Sequence, residues 1–129
     1  MIKEFEVLTK ERYELINITN KVERIVRESK VRDGLCFVFA PHSTAGIVLT
    51  EDESGLKNDW LAVLKKMVSG FDFFHNRIDN NADSHILSGL IGQEKTLVIE
   101  NNKLIRGTWQ NIFLIEFDGP RTRKVIVKT

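Results

Sequence analysis

The chain reads as a single α+β domain over residues 1–129. Three observations predict this. Segments with strand-like alternation and segments with helical spacing follow one another in the order β-β-α-β-β-α-α-β-β-β-β. Consecutive strand segments are joined by short turns, which favours antiparallel pairing. A chain of 129 residues with 42% apolar and 29% charged residues can bury one real core and has ordinary globular composition.

Residues 2–8 and 13–18 read as two short strands, forming a hairpin around Lys10, Glu11 and Arg12. A helix is predicted over 20–32, because Val22, Ile25, Val26 and Ser29 share one face. Asn20 suits its cap with Glu23 at the third position, Lys30 and Arg32 suit its negative end, and Gly34 stops it. Residues 35–40 and 45–50 are apolar on both faces and read as central strands covered on each side, with Pro41 to Thr44 between them. A second helix is predicted over 54–69, with Ser54 as cap and a stripe of Leu56, Trp60, Val63, Leu64 and Met67. A loop over 70–81 leads into a short helix that starts near Asp83 or Ser84 and ends at Gly92. Ile86, Leu87, Leu90 and Ile91 are its apolar residues.

The last third is β. Residues 96–99 and 103–105 flank Asn101 and Asn102, a pair that tolerates the positive φ of a tight hairpin turn. Residues 109–117 read as a long strand, Gly119-Pro120 as a turn, and 123–128 as a closing strand with Val125 and Val127 on one face.

Nineteen basic against eighteen acidic residues leave a formal charge of +1, so no general affinity for nucleic acid or membrane is expected. No apolar run approaches the roughly 20 residues that a membrane-spanning helix needs. The single cysteine, Cys36, lies in an apolar run and reads as a small core residue. With no partner for a disulfide, and with charges in the first six residues where a signal peptide would be apolar, a reduced, cytoplasmic setting is expected. Glycine-rich phosphate loops, a Gly-x-Ser-x-Gly elbow and Cys-x-x-Cys pairs are all missing, which removes several common enzyme classes.

Chemistry concentrates between His75 and His85, where two of the three histidines and the aspartates Asp79 and Asp83 fall within one polar stretch. Imidazoles and carboxylates bind divalent metals and move protons near neutral pH. His85 sits in the first turn of the short helix, whose positive end favours neutral imidazole, the form that binds metal. It reads either as a ligand or as ordinary filler. Asp83 reads as a helix cap or as an oxygen ligand. His75 follows the aromatic stretch Phe71 to Phe74 and reads as an anchored ligand or a plain loop residue. His42 ends another apolar run. Three histidines with an open position match one arrangement used by catalytic zinc, although their spacing is no known local zinc pattern. Glu51 reads as a general base or metal ligand, or as the acidic start of a helix. Thr108 and Gln110 offer hydrogen-bonding groups beside Gly107. Trp109 reads as a stacking surface or as a buried residue of a bent strand. Arg121 and Arg123 alternate to one side of a strand, to hold a phosphate or to protect a solvated edge.

Taken in order, the stretch His42 to Gly46, Glu51, Asp59, the segment His75 to His85, Leu90 to Gly92, and Gly107-Thr108-Trp109-Gln110 resemble the YjbQ family (UPF0047), the secondary thiamine-phosphate synthase family. The resemblance runs over nearly the whole chain. It implies two packed, mainly antiparallel sheets with two main helices and one short helix, assembled as a homotrimer. It also implies a polar pocket near the histidines that takes a divalent metal, zinc or magnesium, and a small phosphorylated metabolite. The implied reaction couples hydroxymethylpyrimidine diphosphate to thiazole phosphate with release of diphosphate. In that picture His42, His75 and His85 hold the metal. Glu51 positions or deprotonates a reacting group, and Ser84 adds a backbone donor at the helix start. Trp109 stacks on the pyrimidine, and Arg121 and Arg123 neutralise the leaving group. Two other readings use the same residues: metal-assisted hydrolysis of a small phosphate ester, and a non-enzymatic trimer that binds a metal or metabolite.

Overall fold

The chain divides its strands between two antiparallel sheets stacked on one another, and residues 1–129 are all described by a computed structural model. Strands β1 (Ile2–Leu8) and β2 (Glu14–Asn17) precede helix α1 (Thr19–Ser29). Strands β3 (Gly34–Phe39) and β4 (Ala45–Thr50) precede α2 (Ser54–Met67) and α3 (Ala82–Ile91). The chain closes with β5 (Glu94–Glu100), β6 (Lys103–Leu104), β7 (Asn111–Glu116) and β8 (Thr122–Lys128). The order of elements is the predicted one. The first sheet runs β1-β8-β3-β5-β6 and the second β2-β7-β4. No helix is long and apolar enough to cross a membrane.

Two apolar clusters fix the layers. The inner face of the five-stranded sheet meets one face of the three-stranded sheet and α1, joining Cys36, Val38, Val125 and Val127 to Ile47, Leu114, Val22 and Val26. The other face of the three-stranded sheet meets α2 and α3 through Val48, Phe113, Ile115, Leu64 and Leu87. Strands β7 and β4 are thus covered on both faces; Ile112 to Ile115 of β7 are fully buried, and Ile47 and Val48 of β4 enter opposite clusters. Each such side chain contributes roughly 1.5–3 kcal/mol relative to exposure. Burial also pushes the Cys36 thiol up to about 11, in keeping with its core role.

Several local expectations are corrected. Residues 2–8 and 13–18 form no hairpin, since β1 pairs with β8 in one sheet and β2 with β7 in the other. The Glu14 carboxylate accepts the Lys10 amide at 2.8 Å and Thr9 N–H donates to Arg121 C=O at 2.9 Å, so the intervening turn carries the chain between layers. Helix α1 is capped from outside, by Asn17 Oδ1 accepting the Thr19 amide at 3.0 Å, and Asn20 is exposed. It ends at Lys30 in the left-handed region (φ 58°), and Gly34 opens β3 instead of stopping the helix. Strand β3 leaves Leu35 exposed on an uncovered face, whereas β4 is covered on both faces as expected but lies at a sheet edge and not at its centre. Glu53, not Ser54, caps α2, its side chain accepting the Leu56 amide. Only Leu64 of the predicted stripe is fully buried, with Val63 and Met67 facing solvent. Ile86 and Leu90 of α3 are also exposed. Strand β7 begins at Asn111, and β8 lies between β1 and β3, so it is no edge.

The expected hairpin turn is present, with Asn101 and Asn102 at φ 52° and 62°. Close approach seats α3 on the sheet. A Cβ at Gly46 would lie 2.8 Å from Gly92 O, and the Ile47 amide donates to that same carbonyl at 3.0 Å.

Candidate functional site

The segment from Phe71 to His85 folds back on itself before α3 because its polar side chains bond to its own backbone. Phe71 and Phe73 stack at 5.5 Å. A single 3-10 turn, Phe74–Arg77, follows, closed by Ile78 N–H donating to His75 C=O at 2.9 Å. Asn76 Oδ1 accepts the Ala82 amide at 3.0 Å, satisfying a free donor at the start of α3. That is a task Asp83 was expected to perform. Asp83 instead binds the Arg12 guanidinium at 3.1 Å and accepts the Tyr13 hydroxyl. Burial and the Asp83 carboxylate push the Tyr13 phenol well above its usual range, so it stays a donor.

This fold brings His75 and His85 together, with ring centroids 4.9 Å apart in an edge-to-face contact. Both line a hollow of about 400 Å³ with Phe73, Phe74, Ala82 and Ile86. Arg77 rests its guanidinium over the Phe74 ring at 5.0 Å. Phe73 is shared with a second, more polar hollow of about 580 Å³ that also includes Arg12, Tyr13, Lys65, Asn76 and Asp83. His75 Nε2 lies 2.8 Å from Asn81 Oδ1, and Asn81 Nδ2 donates to Asp118 Oδ2 at 2.9 Å.

Ser84 is fully buried and its hydroxyl donates to Phe117 C=O, pinning α3 to the end of β7. Its side chain is therefore committed to structure. His42 does not join the other two imidazoles within one chain. It lines a separate hollow of about 360 Å³ with Phe39, Pro41, Ser43 and Gln93. The Lys124 amide donates to its Nε2 at 2.9 Å. Burial, then the Arg123 charge, holds the His42 imidazole below its ordinary value. No group of three histidine, cysteine, aspartate or glutamate side chains in the chain is placed to hold a metal ion. A single chain thus offers the two imidazoles of His75 and His85 and no complete ligand set.

Glu51 is exposed and lines neither of the hollows near the histidines. Arg123 is removed from phosphate binding. It is buried against Glu116, with Nε donating at 2.9 Å and Nη2 donating to Thr44 Oγ1 at 2.8 Å. Arg121 lies in the turn before β8 and pairs with Asp118 at 3.2 Å, so it touches the His75 network from behind. The Gly107 amide donates to Gln110 Oε1 at 2.7 Å and the Gln110 amide to Gly107 C=O at 3.0 Å. That tight turn presents Trp109 to solvent at 69% exposure, against the buried alternative. Thr108 is exposed on the same turn.

Arg12, Tyr13 and Asp118 carry no signal of their own in the sequence, because they reach the site from distant segments. Arg77 and Asn81 stand inside the dense segment, and its polarity was the signal that could have found them.

Known proteins share this architecture and sequence. A family model described as UPF0047 protein YjbQ-like matches residues 3–129. A UPF0047 protein of Archaeoglobus fulgidus is 46% identical over 126 residues, covering 97% of this chain and 98% of the relative. The UPF0047 protein YugU of Bacillus subtilis is 34% identical over 129 residues, covering 99% and 98%. The crystal structure of a YbjQ-like protein of unknown function from Sulfolobus solfataricus superimposes with a TM-score of 0.96 at 42% identity, covering 98% of this chain and 94% of that one. A YjbQ/UPF0047 protein of Clostridium acetobutylicum gives 0.93 at 42% identity, covering 98% of each. With its length matched almost end to end, the chain belongs to the YjbQ-like UPF0047 family.

Proposed function

We propose that this protein is a transferase resembling secondary thiamine-phosphate synthase, working on small ring-bearing phosphates at the His75–His85 hollow. The observation that carries the reading is the pair of imidazoles, 4.9 Å apart, in a mostly apolar hollow of ring-accommodating size with Arg77 beside it. Small-ligand sites combine apolar walls with a few convergent polar groups.

In the proposed reaction the thiazole nitrogen gives its electron pair to the exocyclic methylene carbon of the pyrimidine. A C–N bond forms, the C–O bond to the diphosphate breaks, and diphosphate leaves with that electron pair. Phe73, Phe74 and the His85 ring pack against the heterocycle. Arg77 faces the growing charge on the leaving group, the largest electrostatic demand of such a displacement. His85 can hand a proton to the departing oxygen, and His75 can accept a hydrogen bond from the pyrimidine amino group. One chain lacks a three-ligand metal set, so no step here runs through a metal.

The homotrimer belongs to the same proposal. The outer face of the five-stranded sheet is covered by no helix, and Leu35 and Val98 sit opposite each other on it, both exposed.

The test uses purified protein with hydroxymethylpyrimidine diphosphate and thiazole phosphate, with and without magnesium or zinc. Thiamine phosphate and diphosphate are expected in equal amounts. His85→Ala is expected to lower the rate by about a hundredfold, the usual order for losing an acid–base group. An unchanged rate in that variant would remove the proposed site. Diphosphate or phosphate released without thiazole would make the protein a hydrolase. Thermal stabilisation by either substrate without any product would make it a binding module.

A further inference from the structure

We infer that Asn81 and Asp118 are positioning residues that hold His75 as the tautomer protonated on Nε2, leaving the Nδ1 lone pair as the nitrogen offered to a ligand.

The inference follows from what each group is able to donate. An ionised carboxylate only accepts hydrogen bonds. Asp118 Oδ2 lies 2.9 Å from the Asn81 side-chain amide, so the NH2 end of that amide must face it. The carbonyl end is then turned to His75, with Oδ1 2.8 Å from Nε2. A carbonyl oxygen also only accepts, so the hydrogen of that contact belongs to His75 Nε2. Neutral imidazole carries one ring hydrogen, so Nδ1 is left with its lone pair. The tautomer is set by a carboxylate that never touches the ring.

Each link is held. Asn81 is buried at 7% exposure, and turning its amide over would oppose two acceptors at Asp118. Its backbone is fixed as well, donating to Asp79 C=O at 2.9 Å and accepting the His85 amide at 3.3 Å. Asp118 is fixed from three sides. Arg121 Nη2 donates to its carboxylate at 3.2 Å, Arg121 Nε donates to its backbone carbonyl at 2.8 Å, and its own amide donates to buried Glu116 Oε2 at 3.1 Å. This gives Arg121 a place in the site different from phosphate binding. An amide between carboxylate and imidazole also differs from direct contact, because it orients the ring without setting a full negative charge against it. The His85 ring, edge-to-face with His75, forms no such relay and keeps both nitrogens free of side-chain partners within the chain.

Use of the His75 Nδ1 lone pair in catalysis rests on the transfer reaction proposed above, whereas the tautomer does not. The experiment therefore reads the ring directly. Long-range proton–nitrogen correlation spectra of uniformly nitrogen-15-labelled protein are recorded well above the ordinary imidazole value of about 6.5. With three histidines, the His75 signals are identified as those lost in His75→Ala. A single tautomer with hydrogen on Nε2 is expected in the unmodified protein, and this measurement needs no perturbing variant. Hydrogen on Nδ1, or a mixture, overturns the assignment. In Asp118→Asn, where the new amide is able to donate, His75 is expected to become a mixture of tautomers while the backbone amide spectrum keeps its dispersion. A single unchanged tautomer there removes Asp118 from the relay. In the transfer assay the same variant is expected to lose about tenfold in kcat with KM held. An unchanged kcat alongside a mixed tautomer overturns the role in the reaction and leaves the reaction itself standing.

Discussion

Glu116 and Arg123 are the two charged side chains buried in the interior, and neither lacks a partner. Glu116 accepts Thr9 Oγ1 at 2.8 Å and the amides of Phe117 and Asp118 at 3.1 Å each. Arg123 donates to it and also to Thr44 C=O at 3.0 Å. The pair spans the two sheets, from β7 to β8, and ties the His42 connection to the strand end that carries Asp118. Truncating one partner strands the other as an uncompensated buried charge. Arg123→Met is expected to cost about 3–5 kcal/mol in urea unfolding, and Glu116→Leu combined with Arg123→Met is expected to cost less. Equal losses in single and double variants would show that the pair acts by packing alone. His42 adds a pH dependence. Its folded-state value is depressed, first by burial and then by Arg123, so the unfolded chain takes up a proton more readily. The neutral ring's contribution is complete above the ordinary value of 6.5 and is lost as pH falls through that value and then through the folded one. Between about pH 8 and about pH 5 the unmodified protein should lose more stability than His42→Gln. Parallel pH–stability curves for the two would contradict this.

At the scale of elements, the hairpin turn between β5 and β6 has two asparagines with similar backbone and different work. Both have positive φ, a conformation glycine adopts more easily. Asn102 also donates from Nδ2 to Val26 C=O at 3.0 Å and Val31 C=O at 2.9 Å, finishing the C-terminal end of α1. Asn101 makes no such side-chain bond and contributes only its backbone amide to Asp33. Asn101→Gly should therefore leave stability within about 0.5 kcal/mol or raise it. Asn102→Gly should cost about 1–3 kcal/mol, because the Val31 carbonyl loses its side-chain donor and the Val26 carbonyl keeps only the Ser29 hydroxyl. Thermal unfolding of the two variants side by side decides it. If they behave alike, the turn and not the helix cap governs this corner. The sequence located this turn because the Asn-Asn pair is a local signal. It misplaced the caps of α1, by three residues, and of α2, by one, because neighbouring capping candidates differ by only one hydrogen bond.

For the whole molecule, the uncovered face of the five-stranded sheet sets the expected assembly. Leu35 pairs with Val98 across β3 and β5, and both remain more than half exposed in the single chain. Light scattering behind size exclusion should give three times the 14.9 kDa chain mass. Leu35→Glu with Val98→Glu should shift this to one chain without loss of far-ultraviolet circular dichroism. A monomer in the unmodified protein, or a trimer indifferent to that double charge, would place the assembly surface elsewhere or remove it. The order of elements, the antiparallel habit, the hairpin turn and the polarity of the 75–85 segment were all determined by the sequence, because periodicity, turn residues and polarity act over a few neighbours. Other facts were decided only by tertiary structure. Strands β1 and β2 part into different sheets, Arg123 is spent on Glu116, Trp109 faces solvent, and His75 meets His85 and Asn81 while His42 stays apart. Each of these depends on contacts between residues distant in sequence, and no pattern within a window of a few residues records which distant side chain will arrive.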